Sequence, residues 1–253
     1  MIKAVTFDFW NTLAHVSPST MDAARRRAVA GACADCGVEV ESVLLTAALD
    51  EVGLQYQRFW EEGRHFHPDE GAEMLVRVLG IEEFARQQVA EAFLGAGREV
   101  DLMLAPDLEP CLRTLQGQGI RLGIVCDVVY MGGDVLRELL EDKDLLRFFS
   151  GWGFSDEVGS YKPAPEIFEA TLGALGVKPQ EALHVGDLRR TDIAGAASLG
   201  MKASRYRGLY DDPDHADGLE AEFVIDNHSA LPELVERLRQ WQRTHGDPLL
   251  LAG

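Results

Sequence analysis

The sequence predicts an α/β fold, a doubly wound parallel sheet with an inserted helical domain, and three observations predict it. A short apolar, β-branched run ends at Asp8. The stretch from 15 to 99 shows helical periodicity and no comparable strand. From residue 107 onward, short apolar runs alternate with amphipathic stretches, the pattern of crossover connections between parallel strands.

Taken in order, residues 2–7 read as a buried strand because they are short, apolar and β-branched. Helices follow over 21–36, 43–60, 69–79 and 82–94, punctuated by Gly31, Gly37, Gly63, Pro68 and Gly80. The alternating part then reads as helix 107–116, strand 121–126, helix 134–149, strand 151–155 and helix 165–175. Strand 182–185, helix 192–199, strand 223–225 and helix 231–243 close it, and a frayed tail is expected from 244. The expected division is a core of 1–14 and 100–253 with a small helical domain of 15–99 inserted after the first strand.

Composition narrows the function classes. Of 253 residues, 46% are hydrophobic and 26% charged, which fits a globular chain and not a disordered one. Forty-two acidic residues against 24 basic ones leave a formal charge of −18. That field disfavours nucleic acid and anionic membrane surfaces as partners, and an anionic substrate then needs a local positive centre. No apolar run is long enough for a membrane span, and the start, with Asp8 straight after its apolar run, does not read as a secretory signal. With four cysteines and no disulfide framework, a reduced cytoplasmic setting is expected. Cys33-x-x-Cys36 has no second pair and reads as a helix end before Gly37. The nucleotide signatures G-x-G-x-x-G and G-x-x-x-x-G-K-[ST] and the hydrolase elbow G-x-S-x-G are absent.

In open parallel sheets ligands bind at the carboxyl ends of the strands. There the chain places Asp8-Phe9-Trp10-Asn11-Thr12-Leu13, then Cys126-Asp127, then Gly186-Asp187 with Asp192 nearby, and Lys162 in the proline-stiffened loop Ser160-Tyr161-Lys162-Pro163-Ala164-Pro165. Singly, a strand-end aspartate is ordinary turn or cap material; the set in order carries the weight. Asp8, Asp187 and Asp192 offer hard oxygen ligands suited to Mg2+, Lys162 offsets the charge of a bound phosphate, and Asp8 is placed to attack phosphorus.

These segments resemble the haloacid dehalogenase superfamily of aspartate-nucleophile hydrolases. The residues carrying the likeness are Val5-Thr6-Phe7-Asp8-Phe9-Trp10-Asn11-Thr12-Leu13, the run from Phe154 through Ser160-Tyr161-Lys162-Pro163 to Phe168, and His184-Val185-Gly186-Asp187 followed by Asp192 and Gly195-Ala196-Ala197. The resemblance implies a Rossmann-like core with a small helical cap that closes over the site and excludes water. It further implies Asp8 as nucleophile, Thr12 steadying its loop, and Lys162 neutralising charge. Asp187, Asp192, Asp8 and the Trp10 carbonyl would hold the metal, with Trp10, Asn11 and Asp127 near the substrate.

Three positions depart from that family. Its phosphatases carry a second aspartate, the general acid and base, where this chain has Trp10, and an indole N–H only donates. Cys126 stands where a serine or threonine normally contacts the substrate, and Asp127 follows where asparagine is frequent. Three readings stay open: a magnesium-dependent phosphatase of a small phosphorylated metabolite, weakened by the missing acid and preferred because Asp187 and Asp192 keep the metal-binding style; a 2-haloacid dehalogenase, whose halide leaves without a proton; and a non-catalytic descendant that binds. In the cap, the Arg25-Arg26-Arg27 cluster, the Gln55-to-Trp60 stretch and His65-Phe66-His67 read first as helix face and packing. Asp211-Asp212-Pro213-Asp214 with His215 reads as a solvated loop. Nothing in the sequence asks for an oligomer.

Overall fold

In the computed structural model, residues 1–213 and 219–245 are described. Eight strands are present among them: β1 (Ala4–Phe7), β2 (Ala14–His15), β3 (Met103–Leu104), β4 (Arg121–Cys126), β5 (Phe149–Phe154), β6 (Ala182–Gly186), β7 (Lys202–Tyr206) and β8 (Phe223–Ile225). Six form one all-parallel sheet in the order β5-β4-β1-β6-β7-β8, so β1 lies between strands that follow it far along the chain. Ala4 pairs with Arg121 on one side and Ala182 on the other, and Phe7 with Ile124 and Val185. The sheet is covered on both faces, as parallel sheets require. Val5 and Phe7 of β1 join the larger apolar cluster with Leu112, Leu136 and Leu231, while Ala4 joins a second cluster with Ile167, Phe168 and Leu172. That split is the period-two alternation of a strand.

The covering helices are α5 (Leu108–Gly117), α6 (Gly133–Asp142), the short α7 (Ser155–Val158), α8 (Pro165–Leu175), α9 (Ala194–Ser198) and α10 (Leu231–His245), and they follow the four helices of the insertion, α1 (Pro18–Asp35), α2 (Ser42–Glu61), α3 (Pro68–Val78) and α4 (Glu83–Gly95). Glycine in β5 lets α8 come close: a Cβ on Gly153 would sit 2.3 Å from the Ile167 carbonyl oxygen.

The insertion leaves through β2 and returns through β3, which pair antiparallel with Ala14 opposite Leu104. Between them α1 to α4 enclose an apolar cluster of their own, including Val29, Leu45, Val52, Leu75, Val89 and Phe93. Ser17 caps α1, accepting from the Thr20 N–H at 3.1 Å, with Pro18 in the first turn. His67 caps α3: its Nδ1 accepts from the Asp69 N–H and Glu70 reaches back to the His67 N–H at 2.8 Å. Cys33 is buried inside the cluster and Cys36 is a free thiol bonded to Gln88.

Several elements differ from the sequence reading, β2 and β3 among them, each only two residues long. β7 was not expected, since Lys202-Ala203-Ser204-Arg205-Tyr206 has no apolar run; it pairs with β6 and β8, and Arg205 is buried within ion pairs. The helix expected over 134–149 stops at Asp142, Asp144 turns with φ 57°, and Phe149 opens β5. Asp192 sits in a π-helical turn, Arg189–Ile193, ahead of α9. Among the described residues no helix is long and apolar enough to cross a membrane. The tail beyond His245 lies outside the described residues.

Candidate active site

Asp8 leaves β1 at the carboxyl edge of the sheet, and its N–H donates to the Val185 carbonyl at 2.8 Å, which ties the start of the loop to β6. The loop then closes on itself: the Leu13 and Ala14 N–H groups both donate to the Phe9 carbonyl, and Asn11 takes φ 57°, a left-handed conformation that asparagine tolerates. Asn11 Oδ1 bonds His15 Nδ1 at 2.9 Å. His228 Nε2 lies 2.8 Å from the Thr12 carbonyl, while the buried Thr12 hydroxyl has no partner. Trp10 is half-buried, edge-on to Phe9 at 4.8 Å, and it lines a cavity of about 250 Å³ together with Val16, Met21, Arg25, Tyr130 and Met131.

The buried Lys162 ammonium joins the sequence-predicted carboxylates. It donates to Asp8 Oδ1 and, at 2.7 Å, to Asp192 Oδ1. One oxygen from each of Asp8, Asp187 and Asp192 lies within 4.8 Å of the others, all three residues being buried. Asp192 is fixed from beneath: His184 Nε2 lies 3.2 Å from its Oδ1, the Leu188 N–H donates to its Oδ2 at 3.0 Å, and Thr6 Oγ1 holds the far side of the His184 ring at 2.9 Å. Gly186 makes room, since a Cβ there would come within 2.3 Å of Asp192 Cγ. Asp187 Oδ2 is buried with no hydrogen-bond partner.

Three buried carboxylates and one buried ammonium leave negative charge uncompensated. Burial pushes the Asp8 carboxyl up to about 7, against the pull of Lys162 and with help from the Asp192 charge. Burial, followed by the charges of Asp8 and Asp192, pushes Asp187 well above the usual carboxylate range. Burial would raise Asp192 too, but Lys162 and His184 hold it below that range. Lys162 is lowered by burial and raised by its carboxylate neighbours, which win. The cluster fits a divalent cation on its own chemistry: hard oxygen donors, an unpartnered buried carboxylate oxygen, and excess negative charge.

At the end of β4, the buried Cys126 thiol, pushed well up by burial, has its own neighbour's carbonyl, Asp127 O, within 3.5 Å. Asp127 accepts from the Lys162 N–H at 2.9 Å through Oδ1 and from the Trp60 indole N–H at 3.2 Å through Oδ2. Sequence reasoning missed the role of Trp60, which comes from the last turn of α2. Arg190 stacks on its ring at 3.9 Å. Tyr161 was read only as loop; its hydroxyl donates to the Phe66 carbonyl at 2.9 Å and accepts from the Phe66 N–H at 3.3 Å. His184 and Thr6 were also missed as supports. No local pattern encodes such contacts across the chain.

The other candidates separate. Arg25 stacks on Tyr130 at 4.0 Å and pairs with Asp22, Arg26 bonds Thr46, and Arg27 is exposed. The loop expected to be solvated is so at Asp211, 61% exposed though paired, and is not at Asp212, which is buried. Asp211 meets Arg205 at 2.6 Å, and buried Asp212 accepts from the Arg189 N–H at 2.9 Å, with Glu220 bridging both arginines. Asp214 and His215 lie outside the described residues.

Known proteins resemble this chain in sequence and fold. A family model described as a hydrolase, haloacid dehalogenase-like hydrolase, matches residues 2–200. The chain is 34% identical over 247 residues to a glyceraldehyde 3-phosphate phosphatase of Methanopyrus kandleri, covering 94% of this chain and 99% of that one. It is 30% identical over 250 residues to a glyceraldehyde 3-phosphate phosphatase of Methanothermobacter thermautotrophicus, covering 93% and 100%. Among solved structures it resembles a 2-haloacid dehalogenase of Pseudomonas syringae pv. tomato, with a TM-score of 0.71, 28% identity, and coverage of 94% of this chain and 100% of that one.

Proposed function

The chain belongs to the haloacid dehalogenase-like hydrolases, and from that membership we propose that it is a magnesium-dependent phosphatase of small phosphorylated metabolites, acting through an aspartyl intermediate on Asp8. The observation that carries the proposal is the buried set of Asp8, Asp187 and Asp192 around Lys162, with Asp187 Oδ2 left without a partner. The two phosphatase relatives, aligned over nearly their whole length, support it.

Asp8, Asp187 and Asp192, with the Trp10 carbonyl, are the groups that would hold the metal. When bound, the ion offsets charge on the phosphoryl oxygens. The Asp8 carboxylate attacks phosphorus, the bond to the leaving oxygen breaks, and that oxygen departs with the electron pair. Water then cleaves the acyl phosphate, releasing inorganic phosphate and restoring the carboxylate. Lys162 favours the ionised form of Asp8 and neutralises charge on the transferring group. His184 and the Leu188 N–H hold Asp192 in place. Trp10 has no proton to give, and both oxygens of Asp127 already accept N–H bonds. Leaving groups that are stable anions, such as phenolates, therefore suit this site best. Asn11 and Thr12 shape the loop beside Asp8, and Cys126 underlies the same crevice. Residues 15–99 act as the cap that shields the site from water, and 1–14 with 100–253 as the core. The four free cysteines fit a reduced, cytoplasmic setting.

The test is phosphate release from an aryl phosphate with and without Mg2+. Activity is expected in the wild type and a loss of roughly 10⁴-fold or more in Asp8→Asn, the scale seen when a hydrolase loses its nucleophile. Unchanged turnover by Asp8→Asn sinks the assignment. The dehalogenase reading is favoured by one observation, the aromatic Trp10 at the general-acid position, alongside the Pseudomonas structure. Metal-independent chloride release from 2-chloropropionate would establish it instead.

A further inference from the structure

We propose that Trp60 is a positioning residue: by hydrogen-bonding Asp127 it clamps the backbone of Lys162, so that docking of the helical insertion onto the sheet sets the ammonium that faces Asp8. The inference rests on the role given above to Lys162.

Asp127 is the hinge of the argument. Its two carboxylate oxygens accept from two N–H groups that arrive from different regions, Lys162 from the loop after α7 and Trp60 from the end of α2. Asparagine offers one acceptor oxygen and an NH2 that would oppose the second donor. A carboxylate is what two converging donors require.

Two further contacts bracket the same lysine. The Trp60 ring is held on its face by Arg190, which lies between Asp187 and Asp192 in the loop after β6. Trp60 thereby touches two of the loops that build the crevice. On the other side, Tyr161 immediately precedes Lys162, and its hydroxyl bonds both the N–H and the carbonyl of Phe66. Lys162 is thus tied to the insertion through its own N–H, by way of Asp127, and through the residue before it. Its Nζ is committed to Asp8 and Asp192. A shift of its backbone moves the ammonium relative to both.

The experiment uses the full chain. Trp60→Phe keeps a ring for Arg190 and removes the N–H. The expected result is about a ten-fold fall in kcat on an aryl phosphate with KM changed less than about two-fold, because the lost bond acts on the reacting geometry and not on substrate affinity. Asp127→Asn is expected to fall similarly, and the double variant to be no worse than Asp127→Asn alone within about two-fold, since both remove one bond. Independently of turnover, the Lys162 amide should exchange with deuterium about ten-fold faster in Trp60→Phe than in the wild type. Losses that multiply in the double variant, or a Lys162 amide equally protected in both proteins, would overturn the proposal. If the wild type hydrolyses no phosphate, the phosphatase reading fails and the amide exchange still decides this one.

Discussion

Two clusters of charge lie on either side of one short segment, and they are built on opposite terms. Residues 187 and 192 feed the crevice, where Asp8, Asp187 and Asp192 meet a single ammonium. Arg189, between them, feeds the other cluster, where it and Arg205 share Glu220 and take Asp212 and Asp211 respectively. In that second cluster opposite charges pair off. Burial alone would raise Glu220, yet Arg205, the Ala221 N–H and Arg189 draw it down to about 2. In the crevice Asp187 moves the other way, well up, with an oxygen that meets no donor. Paired charge holds this part of the sheet together, whereas the crevice keeps a buried carboxylate oxygen that no donor meets.

The contrast is sharpened or broken by four experiments. The largest effect is expected from Trp10→Asp, which adds the missing proton donor: kcat on alkyl phosphates should rise by roughly 10²- to 10⁴-fold, measured by phosphate release. No gain would mean that protonation of the leaving group does not limit the rate. Next, Arg205→Met should cost about 3 kcal/mol, the low end for breaking a buried pair, because its acidic partners are 39% and 61% exposed. Urea denaturation reads this, and kcat per folded molecule should hold, which separates structural from functional charge. Third, Mg2+ at a hundred-fold excess over its Kd should stabilise the wild type by about 2.7 kcal/mol, and a Tm series should show this gain lost in Asp187→Asn. The smallest effect concerns acid. A carboxyl depressed on folding stabilises the protein above its unfolded pKa. Glu220 therefore contributes in full above 4.5, and its contribution fades as pH falls towards about 2. Tm against pH over that window should fall less steeply in Glu220→Gln than in the wild type.

The same contrast explains what the sequence could show. Asp8, Lys162, Asp187 and Asp192 were legible because each stands at a strand end or ahead of a helix, where topology alone says ligands bind. The parallel sheet was legible from short apolar runs between amphipathic ones. β7 was not, because Arg205 is buried by partners 6 and 15 residues away and not by an apolar pattern. The expected helix over 134–149 ran past its end because Leu145, Leu146, Phe148 and Phe149 continue an apolar pattern that the turn at Asp144 cuts off. Asp212 was read as solvated because its partner Arg189 lies in another segment. Trp60 and Asp127 are 67 positions apart, and Thr6 and His184 are 178 apart; no window of sequence contains either pair.

The place of β1 in the sheet has a kinetic consequence. Its four residues hydrogen-bond to 121–124 on one side and 182–185 on the other, so the strand leading to Asp8 is synthesised long before either neighbour. During that interval the apolar cluster of α1 to α4 has all its residues available and can collapse by local contacts. The sheet must wait for loop closure across more than half the chain. Asp8 is made before residues 121–126 and 182–186, and its surroundings are complete only when β6 docks.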